Sequence, residues 1–278
     1  TLHSEFPQFA SRSPQGQLMQ QDANECFTEV QRHILDGLKG IEGSTKTSDF
    51  FRGSFAVTLK NTESEEETVQ KTKEEFYQLS CFLSQDVNCI QTGIKEKLSE
   101  EIEKQSPVLG RDCKYSKKAL IDRLPAYLSI QMVRLFFKQS AAVNAKILKD
   151  VKFPQTLDLF EMCTPELQEK LRGNRDAFKT MEDAMIERMY AKLEGKDVKK
   201  AETQEIEKEE NVLPFSFEDD PGSNNSGFYE LHTLKLSGGG EGHCAYVLVY
   251  GPRKAYKEDA LPALPIPDEN TQSTTVCQ

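Results

Sequence analysis

The stretch LPAYLSIQMVRLFF, residues 124–137, carries the strongest strand signal in the sequence. It is rich in apolar, β-branched and aromatic side chains, which is the composition of a strand buried on both faces of a sheet. The segment from residue 143 to 153 is predicted to pair with it as a hairpin. The region therefore predicts two adjacent strands, the first of them buried.

Further strands are predicted on both sides of this hairpin, and in the first of them Phe55, Val57 and Leu59 recur at every second position. They cover residues 50–59, 74–82, 227–232 and 245–250.

Helices are predicted between the strands. One apolar stripe recurs at steps of three or four residues. It consists of Ala23, Phe27, Val30, Ile34, Leu38 and Ile41. A second amphipathic helix is predicted over 93–105, and a third begins at Thr164-Pro165, with proline at the first helical position. Helices interspersed with strands predict the α+β class.

Two segments are predicted to be disordered. The charged run 195–211 is of low complexity, and the tail 254–278 is rich in Pro, Ser and Thr. The first residues read as the middle of a domain. We therefore expect one domain over residues 1–253, as a piece of a longer protein.

Composition excludes several classes of function. The 278 residues carry a net charge of −10, which disfavours nucleic acid and suits a basic partner. The sequence contains no long apolar run of the kind that predicts a membrane span. The seven cysteines form no C-x-x-C pair, which disfavours zinc and favours a reducing setting in the cytoplasm or nucleus.

The stretch QQDANE, residues 20–25, has two interpretations. Asp22 can cap the N-terminus of the early helix, with Glu25 completing an acidic variant of the capping box. Alternatively, Asp22 and Glu25 share one helix face and bind a basic, extended peptide. Both interpretations can hold together.

A nucleophilic thiol with a partner imidazole is the first chemistry to test. Cys26 lies near a predicted helix N-terminus, but on a packed helix. His243 and Cys244 are neighbours in a strand-like segment, so their side chains should point to opposite faces. His232 and His243 are too isolated for a metal site. The run SGGGEGH, residues 237–243, lacks the Lys and Ser/Thr of a phosphate-binding loop, so no cofactor is predicted.

Six segments in order resemble the ubiquitin-specific proteases, especially their proteasome-associated type. They are QQDANE (20–25), LPAYLSIQMVRLFFK (124–138), VNAKILKDVKFP (143–154), CTPELQEK (163–170), GSNNSGFYEL (222–231) and HCAYVLVYGPR (243–253). The resemblance implies a papain-like cysteine peptidase fold with thumb, palm and fingers. It also implies thiol-dependent isopeptide hydrolysis at the ubiquitin C-terminus.

The resemblance assigns ubiquitin-tail binding to Gln20, Asp22, Glu25 and Tyr246. Asp22 and Glu25 would accept charge-assisted hydrogen bonds from the basic tail. Tyr246 would line the narrow channel for the terminal glycines, although core packing explains this tyrosine as well. The implied partners are ubiquitin, ubiquitinated proteins and the 26S proteasome.

The resemblance also implies a catalytic defect. The family's nucleophile lies in a box upstream of the region where this sequence begins, and only residues 232–242 separate Leu231 from His243. That span cannot hold the usual strands with the general base. His243 matches the histidine of the final strand, and a relocated base is the alternative. We expect no catalytic residue in a chain truncated at its N-terminus and shortened before its last strand. Such a chain would be a fragment of a deubiquitinase or a non-catalytic, ubiquitin-binding isoform.

Overall fold

The computed structural model describes residues 2–19, 21–38, 47–84, 86–138, 143–147, 149–193, 212–237 and 244–256. Its helices are α1 (Leu2–Glu5), α2 (Ala23–Leu38), α3 (Ile90–Leu98) and α4 (Pro165–Leu193). Short 3-10 turns cover Pro7–Ala10, Ser48–Phe50 and Phe160–Met162. No helix in these ranges is both long and apolar enough to cross a membrane.

The strands form three sheets. They are β1 (Gly53–Asn61), β2 (Gln70–Phe76), β3 (Leu79–Phe82), β4 (Ser99–Gln105), β5 (Asp112–Arg123), β6 (Leu128–Val133), β7 (Leu135–Lys138), β8 (Val143–Lys146), β9 (Thr156–Asp158), β10 (Phe228–Ser237) and β11 (Cys244–Pro252). One sheet has the order β2-β1-β5-β4, a second has β3-β6-β11-β10-β9, and β7 pairs with β8 alone. The predicted α+β class is confirmed.

The main core lies between the five-stranded sheet, α3 and the first half of α4. Ile90 and Ile94 of α3 and Leu128 and Ile130 of β6 are almost fully buried, and so is Leu171 of α4. The segment 124–137 therefore supplies β6, an inner strand of this sheet, with β3 on one side and β11 on the other.

The predicted single strand over 124–137 is divided in two. Arg134 separates β6 from β7 and is 4% exposed. Its guanidinium donates to the carbonyl oxygens of Ala245, Ile147 and Lys149 at 2.8, 3.1 and 2.9 Å. Because these bonds satisfy the buried charge, the arginine can break the strand inside the fold.

The helix predicted over 93–105 is wrong in its second half. α3 ends at Leu98, and the following residues form β4, which pairs with β5. Glu100 lies opposite Lys117, and Glu103 lies opposite Lys114. Such opposite-charge pairs stabilise an antiparallel ladder, which the helical spacing of isoleucines and leucines did not reveal.

The strand predicted over 74–82 is also divided. β2 ends at Phe76 on the four-stranded sheet, and β3 begins at Leu79 on the five-stranded sheet. Tyr77 and Gln78 make the transition between the two sheets.

A buried carboxylate holds the far end of the four-stranded sheet. Glu67 accepts hydrogen bonds from Asn61 Nδ2, Ser106 Oγ and Tyr115 Oη, each at about 2.8 Å. The bond from Asn61 contributes most to lowering the pKa of Glu67. Three donors around one acceptor group satisfy a carboxylate in a site that is 9% exposed.

β10 and β11 pair along most of their length, from Tyr229 opposite Pro252 to Ser237 opposite Cys244. Residues 228–237 and 244–252 therefore form an antiparallel pair within the five-stranded sheet, and residues 238–243 between them lie outside the described residues. Of the segments predicted to be disordered, 195–211 lies outside the described residues, and so does the tail from residue 257. Ala255 is buried, and Tyr256 forms a bridge with Val212.

Candidate functional site

The N-terminus of α2 is capped by Asp22. Its Oδ1 accepts the backbone N–H of Asn24 at 2.7 Å and that of Glu25 at 3.4 Å. These are two of the backbone donors that the first turn of a helix leaves unpaired. The capping interpretation of QQDANE therefore describes Asp22, while Gln20 lies outside the described residues.

The same helix end carries carboxylate oxygens that are available to a ligand. Within the described ranges, Asp22 Oδ2 and both carboxylate oxygens of Glu25 have no hydrogen-bond partner, and both side chains are exposed. Asn24 Oδ1, between them, accepts a hydrogen bond from Gln78 Nε2 at 2.9 Å. This bond ties the helix start to the transition between the two sheets.

Tyr246 lies on β11, the strand against which α2 packs. Ala245 pairs with Leu236 and Val247 pairs with Lys235, so Tyr246 is an extra residue in a β-bulge. Bulges redirect side chains and occur often beside functional sites. Tyr246 is half-buried, which agrees with either a channel wall or core packing. The structure thus brings α2, with Asp22 and Glu25, against the strand that carries Tyr246.

The described buried cysteines are in environments that disfavour nucleophilic attack. Cys81 donates to the carbonyl of Ile90 at 3.8 Å and Cys163 to that of Leu159 at 3.3 Å. Burial raises the pKa of the Cys81 thiol to about 12, and that of Cys163 to about 12 as well. A catalytic thiol needs the opposite shift. Cys113 donates to a backbone carbonyl too, whereas Cys26 is half-buried on α2.

Two described imidazoles contact aromatic rings. The ring of His33 meets Phe6 edge-on, with centroids 5.4 Å apart. The ring of His232 meets Tyr127 edge-on at 6.3 Å, and Tyr127 stacks on Phe51 at 5.8 Å. His232 is the extra residue of a second bulge, in β10. His243, the predicted final-strand histidine, lies outside the described residues.

The segment GSNNSG, residues 222–227, is a buried polar turn. Asn225 Nδ2 donates to the carbonyls of Pro214 and Ser216 at 2.9 Å. Asn224 Nδ2 donates to the carbonyl of Phe228, and its Oδ1 accepts the N–H of Gly227 at 2.8 Å. The side chains thus satisfy backbone groups that the turn would otherwise leave unpaired.

Two further ion pairs could not be predicted from the sequence. Arg123 binds both carboxylate oxygens of Asp220 at 2.6 Å. Arg175 binds both oxygens of Asp158 at 3.0 and 2.6 Å, and its guanidinium lies between the rings of Phe160 and Phe228, 4.4 and 4.1 Å from their centroids. Their partners are distant in sequence, so no local pattern reveals them.

A cavity lies beside the Arg123–Asp220 pair. It has a volume of about 410 Å³ and is open to solvent. Its lining includes the apolar side chains of Leu124, Leu167 and Phe217 and the charged side chains of Glu166 and Lys170. Of the residues predicted to bind the ubiquitin tail, the three that the structure describes, Asp22, Glu25 and Tyr246, do not line it.

Comparison with known proteins gives a consistent result. Residues 1–255 match the family described as ubiquitin carboxyl-terminal hydrolase. The chain is 36% identical over 316 residues to Ubiquitin carboxyl-terminal hydrolase 14 of Caenorhabditis elegans, and this alignment covers 99% of the chain. It is 36% identical over 242 residues to Ubiquitin carboxyl-terminal hydrolase 6 of Schizosaccharomyces pombe, covering 83% of this chain.

These alignments span 62% of the Caenorhabditis protein and 51% of the Schizosaccharomyces protein. Among solved structures, a chain of the SAGA DUB module bound to ubiquitin aldehyde matches with a TM-score of 0.48 and 16% identity. That match covers 86% of this chain and 51% of the other.

Proposed function

Because the chain belongs to the ubiquitin carboxyl-terminal hydrolase family, whose pattern matches residues 1–255, we propose that it acts in thiol-dependent removal of ubiquitin from protein conjugates. Its own part is recognition of the ubiquitin tail. We include the 26S proteasome among the partners, on the sequence resemblance to proteasome-associated members. The cytoplasm or the nucleus is the proposed setting, as the cysteine pattern suggests.

The acidic N-terminus of α2 is the observation that carries the recognition proposal. Asp22 uses one oxygen as a helix cap and keeps the other available, and the exposed carboxylate of Glu25 lies one turn further along. A basic, extended peptide between this helix end and β11 would find two acceptors for charge-assisted hydrogen bonds. Tyr246 on β11 would then contact the apolar end of the same peptide.

We further propose that the chain alone does not hydrolyse ubiquitin conjugates. The thiols of Cys81, Cys113 and Cys163 donate to backbone carbonyls, and that of Cys89 pairs with the hydroxyl of Thr92. Burial raises the pKa of Cys81 and of Cys163. These four thiols are therefore unsuited to act as nucleophiles. The resemblance places the family's general base between Tyr229 and Tyr246, and His232 and His243 are the two histidines of the sequence in that span.

A fluorogenic ubiquitin substrate tests the absence of hydrolysis. We expect no turnover above the uncatalysed rate from the purified chain. The variants His243→Ala, His232→Ala and Cys26→Ala should therefore have no activity to lose. Turnover that disappears in one of these variants would overturn the proposal and identify the base or the nucleophile.

Binding of labelled ubiquitin to the purified chain tests recognition. Asp22→Asn keeps a good helix cap but removes the charge, and Glu25→Gln removes the second charge. Each should weaken binding several-fold, and binding of the parent chain should weaken as salt is added, because exposed charges are screened. The matched control Glu187→Gln, an exposed carboxylate on α4, should bind as the parent does.

The same measurement separates the two forms of the hypothesis. Binding that depends on Asp22 and Glu25 without turnover supports a non-catalytic ubiquitin-binding isoform. If ubiquitin does not bind at all, the recognition proposal is wrong, and the chain acts only as a fragment of a larger hydrolase.

A further inference from the structure

The outer face of α4 exposes three large apolar side chains near the end of the helix. Ile186, Met189 and Tyr190 are 48, 45 and 60% exposed, and we name them the outer stripe. They lie at spacings of three and four residues, so they share one face of the helix. A contiguous apolar patch of this kind usually marks a binding surface.

The inner face of the same helix is covered. Phe178 and Met181 are buried in a small cluster with Ala255, and Leu213, Phe228 and Tyr256 pack around it. α4 therefore has one apolar face that the described chain covers and a second, next to it, that the described chain leaves open.

The C-terminal segment already reaches the border of the outer stripe. The N–H of Tyr256 lies 3.5 Å from Sδ of Met181, and Arg253 pairs with Glu182 at 2.8 Å. Glu182 precedes Ile186 and Met189 by four and seven residues, so the three positions line one face. The last described segment thus contacts both the inner face and the start of the outer one.

The residues that follow have the composition that such a face would bind. Leu261, Leu264 and Ile266 alternate with prolines in the sequence ALPALPIP, residues 260–267. Prolines favour the extended polyproline II conformation, in which every third side chain points the same way. Leu261 and Leu264 would therefore lie on one side. Pro-rich segments of this kind dock on aromatic-lined surfaces, and Tyr190 is such a ring.

We propose that residues 260–267 of this chain dock on the outer stripe of α4. Ile186 lies five residues beyond Met181, which is about 7.5 Å along a helix axis. Residues 257–260 can span up to about 13 Å when extended, so the segment reaches the stripe. Because the two surfaces belong to one chain, their effective concentration is of millimolar order. Docking would revise the sequence-based prediction that the whole tail is disordered.

Amide hydrogen exchange of the full chain tests this docking. In the double variant Leu261→Asp/Leu264→Asp, the amides of residues 186–193 should exchange about tenfold faster than in the parent chain. The control Thr274→Asp/Val276→Asp adds the same charge at the far end of the tail and should leave these amides unchanged. The amides of β6 report that the fold is intact in each variant.

Three outcomes would overturn the proposal. Unchanged exchange in the Leu261/Leu264 variant would show that the segment does not cover the stripe. Equal acceleration in the control would show a general effect of charge. Protection of residues 186–193 that falls on hundredfold dilution of the parent chain would show that a second copy, and not the chain's own tail, covers the stripe. The conservative variant Leu261→Ala/Leu264→Ala should give a smaller acceleration in the same residues.

Discussion

The helices α2 and α4 both carry an apolar stripe, but the structure uses the two stripes differently. In α4, Leu167, Leu171, Phe178 and Met181 are at most 7% exposed. In α2 no residue is buried, and Ile34, in the middle of its stripe, is 56% exposed. The same periodicity therefore accompanies a core helix in one case and a surface helix in the other.

The starts of the two helices also differ, since one lies in the core and the other at the surface. Thr164, which precedes α4, donates its N–H to Ile121 of β5 at 2.8 Å, and its hydroxyl accepts the N–H of Leu167 at 3.3 Å. The start of α4 is thus part of the core. α2 starts at the exposed Asp22 and is held from its side by the bond between Asn24 and Gln78.

This difference indicates that α2 opens at a lower free energy than α4. Local opening is easiest where few apolar side chains are buried and the backbone hydrogen bonds face solvent. Elements that contact ligands are commonly drawn from such regions. The proposed ubiquitin-tail site therefore lies on the less stable of the two helices.

Thiol alkylation should show the largest contrast between the two helices. Cys163 lies just before α4, and burial raises its pKa to about 12. At pH 8 its thiolate fraction is about two thousandfold lower than that of a cysteine in an unfolded chain, whose pKa is about 8.5. Mass spectrometry after iodoacetamide treatment should find Cys26 of α2 labelled well ahead of Cys163.

Unfolding in urea provides the control for this contrast. Cys163 should then be labelled at the rate of the other cysteines, because its protection comes from the fold. Rapid labelling of Cys163 under native conditions would mean that the start of α4 opens as readily as α2, and the division between the helices would be lost.

Truncation of one leucine or isoleucine on each helix should give the next largest effect. Leu171→Ala removes a side chain that is 0% exposed, and such changes cost about 2–5 kcal/mol of unfolding free energy. Ile34→Ala removes one that is mostly exposed, and surface changes usually stay within about 0.5 kcal/mol. Urea denaturation of both variants measures the two values.

Equal costs at the two positions would contradict the comparison. A large loss in Ile34→Ala would show that the stripe of α2 is covered in solution, by a part of the chain outside the described residues or by a second copy. Repeating the measurement at several protein concentrations would separate these two explanations, since only the second depends on concentration.

The sequence predicted α2 and α4 equally well as helices, but not their burial. The apolar stripe from Ala23 to Ile41 and the Thr164-Pro165 start are local patterns, and both helices begin where the sequence predicts; Ile41 lies outside the described residues. Burial depends on which elements pack against the stripe, and those are far away in sequence. Arg175 between Phe160 and Phe228 is an example, because its role requires β9, β10 and α4 together.

The candidate site was predictable to a similar extent. Asp22 is a helix cap, as the pattern of QQDANE indicated, and the family resemblance singled out Tyr246 on the last strand. The β-bulges at His232 and Tyr246 were not predictable, since a bulge arises from the pairing of two strands. The buried Arg134 was read as part of a strand for the same reason: its three acceptors lie on other segments.

Replacing the two helix caps should give the smallest effect and the finest test of the comparison. Removal of a cap costs about 1 kcal/mol. In Thr164→Ala this cost should appear in global unfolding, because the start of α4 is bonded into the core. In Asp22→Ala it should appear only as faster amide exchange in the first turns of α2, with the global midpoint unchanged.

Asp22→Asn retains a capping side chain and should preserve the exchange rates of the parent chain. If Asp22→Ala instead lowers the global midpoint as much as Thr164→Ala does, then α2 unfolds together with the core, and the two helices do not differ in stability as the comparison requires.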